Sequence, residues 1–231
     1  MKTAIVIPAY NCESTIGTMV DKCLKFCNMV IVVDNNSQDN TFLTALKHKA
    51  LVIKESKQGQ GAATRTGWQT AASLNCNVII TLDADGQHNP DEILSLIEPI
   101  KNNQADIVIG SRFINRFNAP KYRKFGIDII NWICNVFQDI KFIDTQSCYR
   151  VYNKKALTRL KIEEDGFGFS TELLIKARKY RLRIIEVPVS CIYHRSRKCN
   201  STLNPLKHGI IVAWKTLYWR MKLWDCLFLL Q

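Results

Sequence analysis

Residues 80–90 read ITLDADGQHNP, an apolar run that ends in two carboxylates, Asp83 and Asp85, with the amide of Gln87 two positions further on. The chain carries 32 Lys and Arg against 20 Asp and Glu, a formal net charge of +12, so two acids at the end of a buried strand need a reason. Two chemistries fit. One is structural: an Asp-Gly turn after a strand, with Asp91 opening a helix. The other is a divalent cation. Asp85 and Gln87, alternate residues leaving the strand, can point to one side and both offer oxygen. A cation is called for if the substrate is itself negative. A bare carboxylate about 4 Å from a phosphate oxygen is repelled by about 1–4 kcal/mol, and a divalent ion reverses that sign.

Other polar clusters close apolar runs in the same way: Tyr10-Asn11, Asp34-Asn35-Asn36 and Ser111-Arg112. The runs alternate with helical periodicity. AIVIPAY, MVIVVD, LVIKES, NVIITLD and ADIVIGS read as strands; STIGTMVDKCLKFC, NTFLTALKHKA, GAATRTGWQTAASL and NPDEILSLIEPIKN read as helices, with Ser14 as an expected N-cap. Continuous apolar strands alternating with amphipathic helices predict an α/β fold, a mostly parallel sheet covered on both faces. Ligands of such sheets bind beyond the carboxyl ends of the strands, where these clusters converge. After residue 112 the pattern changes. FINRFNAPKYRKF reads as a basic loop, GIDIINWICNVFQDIKF as an apolar-rich helix and DTQSCYRVYNKKAL as a turn and short strand. FGFSTELLIKARKYRLRIIEVPV follows as helix then strand, with Pro188 favouring an edge. One domain over 1–200 with a C-terminal amphipathic helical extension over 201–231 is expected.

The bulk properties narrow the partners. The positive excess favours anions, whether nucleic acid, phosphorylated substrates or acidic lipids. Nine scattered cysteines form no zinc-type Cys/His spacing, which fits reduced thiols in a reducing compartment. The opening MKTAIVIPAYN is too short in its apolar run for a signal peptide, so a cytoplasmic location is expected. No stretch of about 18 apolar residues suggests a spanning helix.

The segments IVIPAYNCESTI, VIVVDNNSQDNT, GQGAATRTGWQTA, TLDADGQHNPDEI and VIGSRF follow in that order, and DTQSCYRVYNKKAL and TELLIKARKYRLRIIEVPV continue them. Together they resemble the nucleotide-sugar domain of family 2 glycosyltransferases over roughly residues 1–200. They are most similar to the branch that includes dolichol-phosphate mannosyltransferases and undecaprenyl-phosphate glycosyltransferases. Each motif alone is weak; five in order are specific. The resemblance implies a GT-A type fold and Mg²⁺ or Mn²⁺ at Asp85 and Gln87, with Asp83 either a third ligand or a contact to ribose and base. It also implies a nucleoside pocket at Pro8, Ala9, Tyr10, Asp34 and Asn35, beside Asp83 and Ala84. Arg112, Arg123 and Arg195 are implied for donor or acceptor phosphates, and Arg150 is a further candidate because a planar guanidinium suits phosphate oxygens. Asp85, Arg112 and Arg195 are the expected catalytic residues. Cys12 and Asn35 depart from the acids common at those positions, which leaves the base, GDP or UDP, open.

Relatives that glycosylate hydroxyls typically carry Glu-Asp where this chain has Phe169-Ser170. A hydroxyl must lose its proton as it attacks, whereas a phosphate monoester is already an anion at neutral pH. The missing acids therefore point to a polyprenyl phosphate acceptor, with Glu172 keeping a glycan-hydroxyl acceptor open. In the tail, LKHGIIVAWKTLYWRMKLWDCLFLLQ, Trp214, Tyr218, Trp219 and Trp224 interleave with Lys207, Lys215, Arg220 and Lys222. That suits a lipid headgroup boundary or a packed helix against this domain or another subunit. A homo-oligomer or a membrane-protein partner is left open, and no nucleic-acid signature accompanies the basic charge. His88 and His194 read as ligands or as ordinary surface-loop and strand-end residues. The expectation is a metal-dependent inverting glycosyltransferase, peripheral to the cytosolic face of a membrane. A non-catalytic nucleotide-sugar or membrane-binding protein is the rival from another class.

Overall fold

Aliphatic runs with almost no charge form the strands that carry the polar clusters: β1 (Thr3–Ala9), β2 (Met29–Asp34), β3 (Leu51–Lys54), β4 (Val78–Thr81) and β5 (Ile107–Ser111). The structure, a computed structural model, describes residues 1–114, 121–136, 141–192 and 205–224. Of the expected site residues, Arg195, with His194 beside it, lies outside the described residues, and the side chains of Arg123, Lys207 and Trp224 are not described. Helices α1 (Glu13–Cys23), α2 (Thr41–Lys47), α3 (Gln60–Ser73) and α4 (Ile93–Lys101) alternate with these strands. They are followed by α5 (Lys121–Asn135), β6 (Arg150–Asn153), α6 (Lys154–Arg159), α7 (Phe169–Lys179), β7 (Ile184–Pro188) and α8 (Pro205–Trp224).

The sheet has seven strands in the order β3-β2-β1-β4-β6-β5-β7. All pairs are parallel except those of β6, which runs antiparallel to both β4 and β5. Both faces are buried. Ile5, Ile7, Val32 and Ile80 pack against Ile16, Val20, Leu96 and Ile97 of α1 and α4. On the other face Val6, Ile31, Val33 and Ile79 meet Trp68, Phe169 and Leu173 of α3 and α7. Each fully buried aliphatic side chain contributes about 1.5–3 kcal/mol, which is why the strands read as unbroken apolar runs rather than alternating ones. Pro188 ends the edge strand β7, as expected from its missing N–H.

Three local expectations are corrected. Helix α1 begins at Glu13, with Cys12 rather than Ser14 at the cap and no side-chain cap bond from it. Its first donors are met from elsewhere in the chain: Thr41 Oγ1 accepts from Cys12 N at 2.8 Å and Asp39 Oδ2 from Glu13 N at 3.1 Å. Helix α5 reaches back to Lys121, into the segment expected as loop; Pro120, directly ahead in sequence, is a helix-start residue. Helix α6 was not anticipated. It starts where Asn153 Oδ1 accepts from Ala156 N at 2.8 Å, an N-cap hidden behind a strand.

The C-terminal helix packs on the body of the fold. α8 lies along α5 and α7, and Arg220 Nη1 donates to the Ile133 and Cys134 carbonyls near the end of α5 at 3.0 and 3.2 Å. Those carbonyls belong to the last turn of α5, and a cation suits that end of a helix dipole. Among the described residues no helix is long and apolar enough to cross a membrane.

Candidate active site

Parallel strands bring their carboxyl ends to one edge, and the ladder shows which residues share it. Ala9 pairs with Asp34, Asn35 N donates to Ala9 O at 2.8 Å, and Leu82 N donates to Val6 O at 3.1 Å, so β4 delivers Asp83 next to Pro8. A cleft at this edge is lined by Pro8, Gln60, Asp83, Cys148, Arg150 and Phe169. The turn after β4 is fixed from three sides. Thr15 Oγ1 donates to Ala84 O at 2.7 Å, Gln87 N donates to Asp85 Oδ1 at 2.9 Å, and Gly86 takes φ +74°, a conformation that favours glycine. The strand-ending acids are thus held in a tight turn that faces the cleft.

Asp83 Oδ1 accepts from Gln60 Nε2 at 3.2 Å, and Oδ2 lies 3.9 Å from His88 Nε2. Solvent still reaches 32% of the Asp83 side chain. Burial, and then the neighbouring Asp85, push its carboxyl far above the usual carboxylate range, towards neutral pH; Arg112 offsets part of this. Such repulsion is what two carboxylates show when no cation neutralises them. The donor set is all oxygen: two carboxylates and the Gln87 amide. No group of three or more His, Cys, Asp or Glu among the described residues could hold a metal ion. Mg²⁺ and its congeners bind in this sparse way, through one or two carboxylates with substrate phosphates and water completing the shell. The residues present therefore fit a divalent cation that arrives with a phosphorylated ligand.

Deprotonating Asp83 is unfavourable in the cation-free fold. A carboxyl whose folded pKa is raised contributes stability below its unfolded pKa and loses it as pH rises through the folded value. A bound cation favours the anion and removes that loss. Mn²⁺ is therefore expected to raise the melting temperature more at about pH 7.5 than at about pH 5.5. An equal shift at both, read by scanning fluorimetry, would contradict this charge arrangement.

Arg112, at the end of β5, makes a bidentate pair with Asp144: Nε to Oδ2 at 2.8 Å and Nη2 to Oδ1 at 2.8 Å, with its backbone N to Oδ2 at 3.0 Å. Asp144 is fully buried and the Arg112 side chain is 13% exposed. Glu186 Oε1 accepts from Asp144 N at 2.9 Å, and Asn131 Oδ1 of α5 accepts from the Thr145 backbone and hydroxyl. The arginine is thus held in place, and its charge acts on Asp83, His88 and Cys191.

The residues expected at a nucleoside divide unequally. Asn35 is consumed by the loop before α3: its Nδ2 donates to Glu55 O and Lys57 O at 3.1 and 2.8 Å, and its Oδ1 accepts from Gly59 N at 2.7 Å. Gly59 itself takes φ +140° with Asp165 O where a Cβ would sit, so that loop can close only on glycine. Asp34, 4% exposed, has an Oδ1 with no hydrogen-bond partner among the described residues. A buried carboxylate oxygen left unpaired costs about 1–3 kcal/mol or more, and a base N–H or ribose hydroxyl would recover it.

Other expectations change with burial. Arg150 is 1% exposed and donates to Thr145 O at 2.8 Å and to Ser170 O at 3.4 Å, so it is a buried wall of the cleft that ties the loop at Thr145 to the first turn of α7. His88 is not a surface-loop residue: it is 4% exposed and sits against Tyr149, ring centroids 5.0 Å apart. Glu172 is fully buried. It accepts from the backbone N of Glu163 and Glu164 at 2.9 and 2.8 Å and pairs with Lys176 at 2.6 Å. Gln60 and Cys148 were missed. Cys148 accepts from Gln60 Nε2 at 2.9 Å, and burial raises its thiol to about 12, so it stays protonated. The position of Gln60 next to Gly59, at the start of α3, was the available signal.

The profile described as Glycosyl transferase family 2 matches residues 4–161, which include every strand end described above except that of β7. The chain belongs to glycosyl transferase family 2. This glycosyltransferase is 32% identical, over 93% of its own length and 92% of the relative, to the UDP-N-acetylglucosamine--dolichyl-phosphate N-acetylglucosaminyltransferase of Methanococcus voltae. It is 27% identical over 96% of its length to the undecaprenyl-phosphate mannosyltransferase of Micrococcus luteus, which is covered in full. It is 33% identical over 81% of its length to the dolichol-phosphate mannosyltransferase of Pyrococcus furiosus, of which it covers 56%. In fold, the glycosyltransferase matches glucosyl-3-phosphoglycerate synthase of Mycobacterium tuberculosis in complex with Mn²⁺, UDP and phosphoglyceric acid. The TM-score is 0.74 at 18% identity, over 96% of this chain and 78% of that one, which establishes the GT-A type fold.

Proposed function

We propose that this glycosyltransferase moves one sugar from a nucleotide diphosphate sugar, GDP- or UDP-linked, to a polyprenyl phosphate, with inversion at the anomeric carbon. The nucleoside would sit against Pro8, Ala9 and Tyr10, with Asp34 Oδ1 accepting from it. The diphosphate would lie over Asp83, Asp85 and Gln87, under the positive charge of Arg112. A divalent cation held by these oxygens supplies charge neutralisation to the departing diphosphate. An acceptor phosphate oxygen attacks the anomeric carbon in line, a new C–O bond forms, and the sugar–diphosphate bond breaks with its electron pair leaving on the nucleotide.

The observation that carries the acceptor class is the state of Glu172. It is the acid the sequence left as a base for a hydroxyl acceptor, and its carboxylate is spent on two backbone N–H groups and Lys176. A phosphate needs no such base. Two relatives covered at nearly full length are named for dolichyl and undecaprenyl phosphates, which supports the same choice. Comparing polyprenyl phosphate with the unphosphorylated polyprenol tests it: sugar is expected only on the phosphate, and equal transfer to the alcohol overturns the assignment.

A lipid acceptor calls for a surface at the bilayer, and exposed apolar side chains of α5 and α8 support such a reading. Phe125, Ile129 and Trp132 form one exposed stripe on α5, with Phe125 and Trp132 at 69% and 67% exposure. Ile210, Trp214, Leu217 and Met221 form another on α8. Lys215, Arg220 and Lys222, the basic residues of α8 whose side chains are described, do not share that stripe. Lys215 pairs with Glu164 at 3.0 Å, Lys222 pairs with Glu163 at 2.8 Å and Arg220 turns inward, while Trp219 is buried. The interleaving seen in sequence resolves into a packed inner face and an apolar outer one. Peripheral association would seat the two stripes at the headgroup boundary. Burying a large apolar side chain contributes about 1.5–3 kcal/mol, so the double variant Trp132→Ser, Trp214→Ser should weaken vesicle binding by about tenfold or more. Unchanged co-flotation with vesicles would remove this face as the anchor.

A further inference from the structure

We propose that His88 is a positioning residue that fixes the Asp83 carboxylate, and through it the cation site. Four observations fix the ring. The backbone of His88 bridges antiparallel to Cys191, and the adjacent Ile192 N donates to Gln87 O at 2.8 Å. The imidazole lies against Tyr149, whose hydroxyl donates to Asn89 O at 3.1 Å and so holds the stacking partner still. Solvent reaches 4% of the residue, and Nδ1 has no hydrogen-bond partner among the described residues. Nε2 faces Asp83 Oδ2 at 3.9 Å.

The tautomer follows from this packing. A neutral imidazole carries one N–H, on either Nδ1 or Nε2. Placed on Nδ1, that hydrogen would be a buried donor with nothing to meet. Placed on Nε2, it points at a carboxylate oxygen. The Nε2 tautomer is therefore favoured. Asp83 Oδ1 then accepts from Gln60 Nε2 at 3.2 Å, and the His88 N–H faces Oδ2 at 3.9 Å, a gap that a small carboxylate rotation would close to a hydrogen bond. With both bonds made, the carboxylate would be restrained between two outer donors and would present fixed lone pairs to a cation. Partners of this kind typically change metal affinity by about 10–100-fold when removed.

This inference rests on the cation site proposed above, and one titration separates the two. Mn²⁺ alone is titrated into the full chain and followed by electron paramagnetic resonance, for the native protein and for three variants. His88→Phe keeps a ring against Tyr149 but has no N–H. His88→Gln gives up the ring but keeps a terminal N–H. His88→Met is close in shape to Gln and has no donor. Positioning predicts weakening by about 10–100-fold for Phe and Met, and affinity close to native for Gln. A packing role predicts the reverse order, with Phe retained and Gln impaired, and overturns the proposal. Equal affinity in all four also overturns it, as does a nitrogen hyperfine coupling that makes His88 a direct ligand. If the native protein binds no Mn²⁺ that Asp85→Asn removes, the cation site itself has failed. The Gln and Met variants decide the matter should the Phe variant not fold.

Discussion

Asp85→Asn is expected to abolish sugar transfer and leave the fold intact. Asn retains the oxygen that accepts from Gln87 N, so the turn after β4 survives. The lost charge removes electrostatic stabilisation of the diphosphate worth several kcal/mol, and each 1.36 kcal/mol is tenfold in rate, so a fall of about 10³-fold or more is expected. The same substitution removes the neighbour that raises the Asp83 carboxyl, so the metal-free variant should melt no lower than the native protein. Loss of activity together with an unchanged or higher melting temperature is the expected pair of results. Activity retained in Asp85→Asn, or in the native protein with excess EDTA, would contradict the role given to this pair.

The second large effect falls on stability. Asp144→Ala would leave the Arg112 guanidinium, now 13% exposed, without the carboxylate that meets both its Nε and Nη2. Removing one partner of a buried ion pair typically destabilises by about 3–5 kcal/mol, because the other charge remains in a poorly solvated site. Urea denaturation should show a loss of that size, with Asp144→Asn milder because the amide oxygen still accepts. A change below about 1 kcal/mol in Asp144→Ala would show that Arg112 finds solvent or another partner easily, and that it is not held toward the aspartates by Asp144.

The parallel core was legible because burial on both faces leaves an unbroken apolar run, and two of those runs, β1 and β4, lead into Pro8 and Asp83 of the cleft. Asp83, Asp85 and Asp34 could be placed from sequence for the same reason: each stands directly at or just after a strand end. What sequence could not supply was the fate of polar groups whose partners lie far along the chain. Asn35 meets Lys57 and Gly59, Arg112 meets Asp144, and Arg150 meets Thr145 and Ser170. In each case a residue read as a free binding group is committed by long-range contacts. Glu172 and His88 show the same limit through burial, since neither its two backbone donors nor its aromatic neighbour is visible in local sequence. The tail is aromatic and basic in sequence, but the helix period alone does not show that Lys215 and Lys222 pair with Glu164 and Glu163 of a distant loop.

The most direct test of the account offers both acceptors at once. The protein is incubated with labelled UDP- and GDP-sugars, Mn²⁺, vesicles containing polyprenyl phosphate, and free glycans, and the label is followed by organic extraction and chromatography. The account predicts one labelled glycosyl phosphoryl polyprenol, absent when the lipid phosphate is omitted. Label appearing in the free glycans and not in the lipid would contradict it.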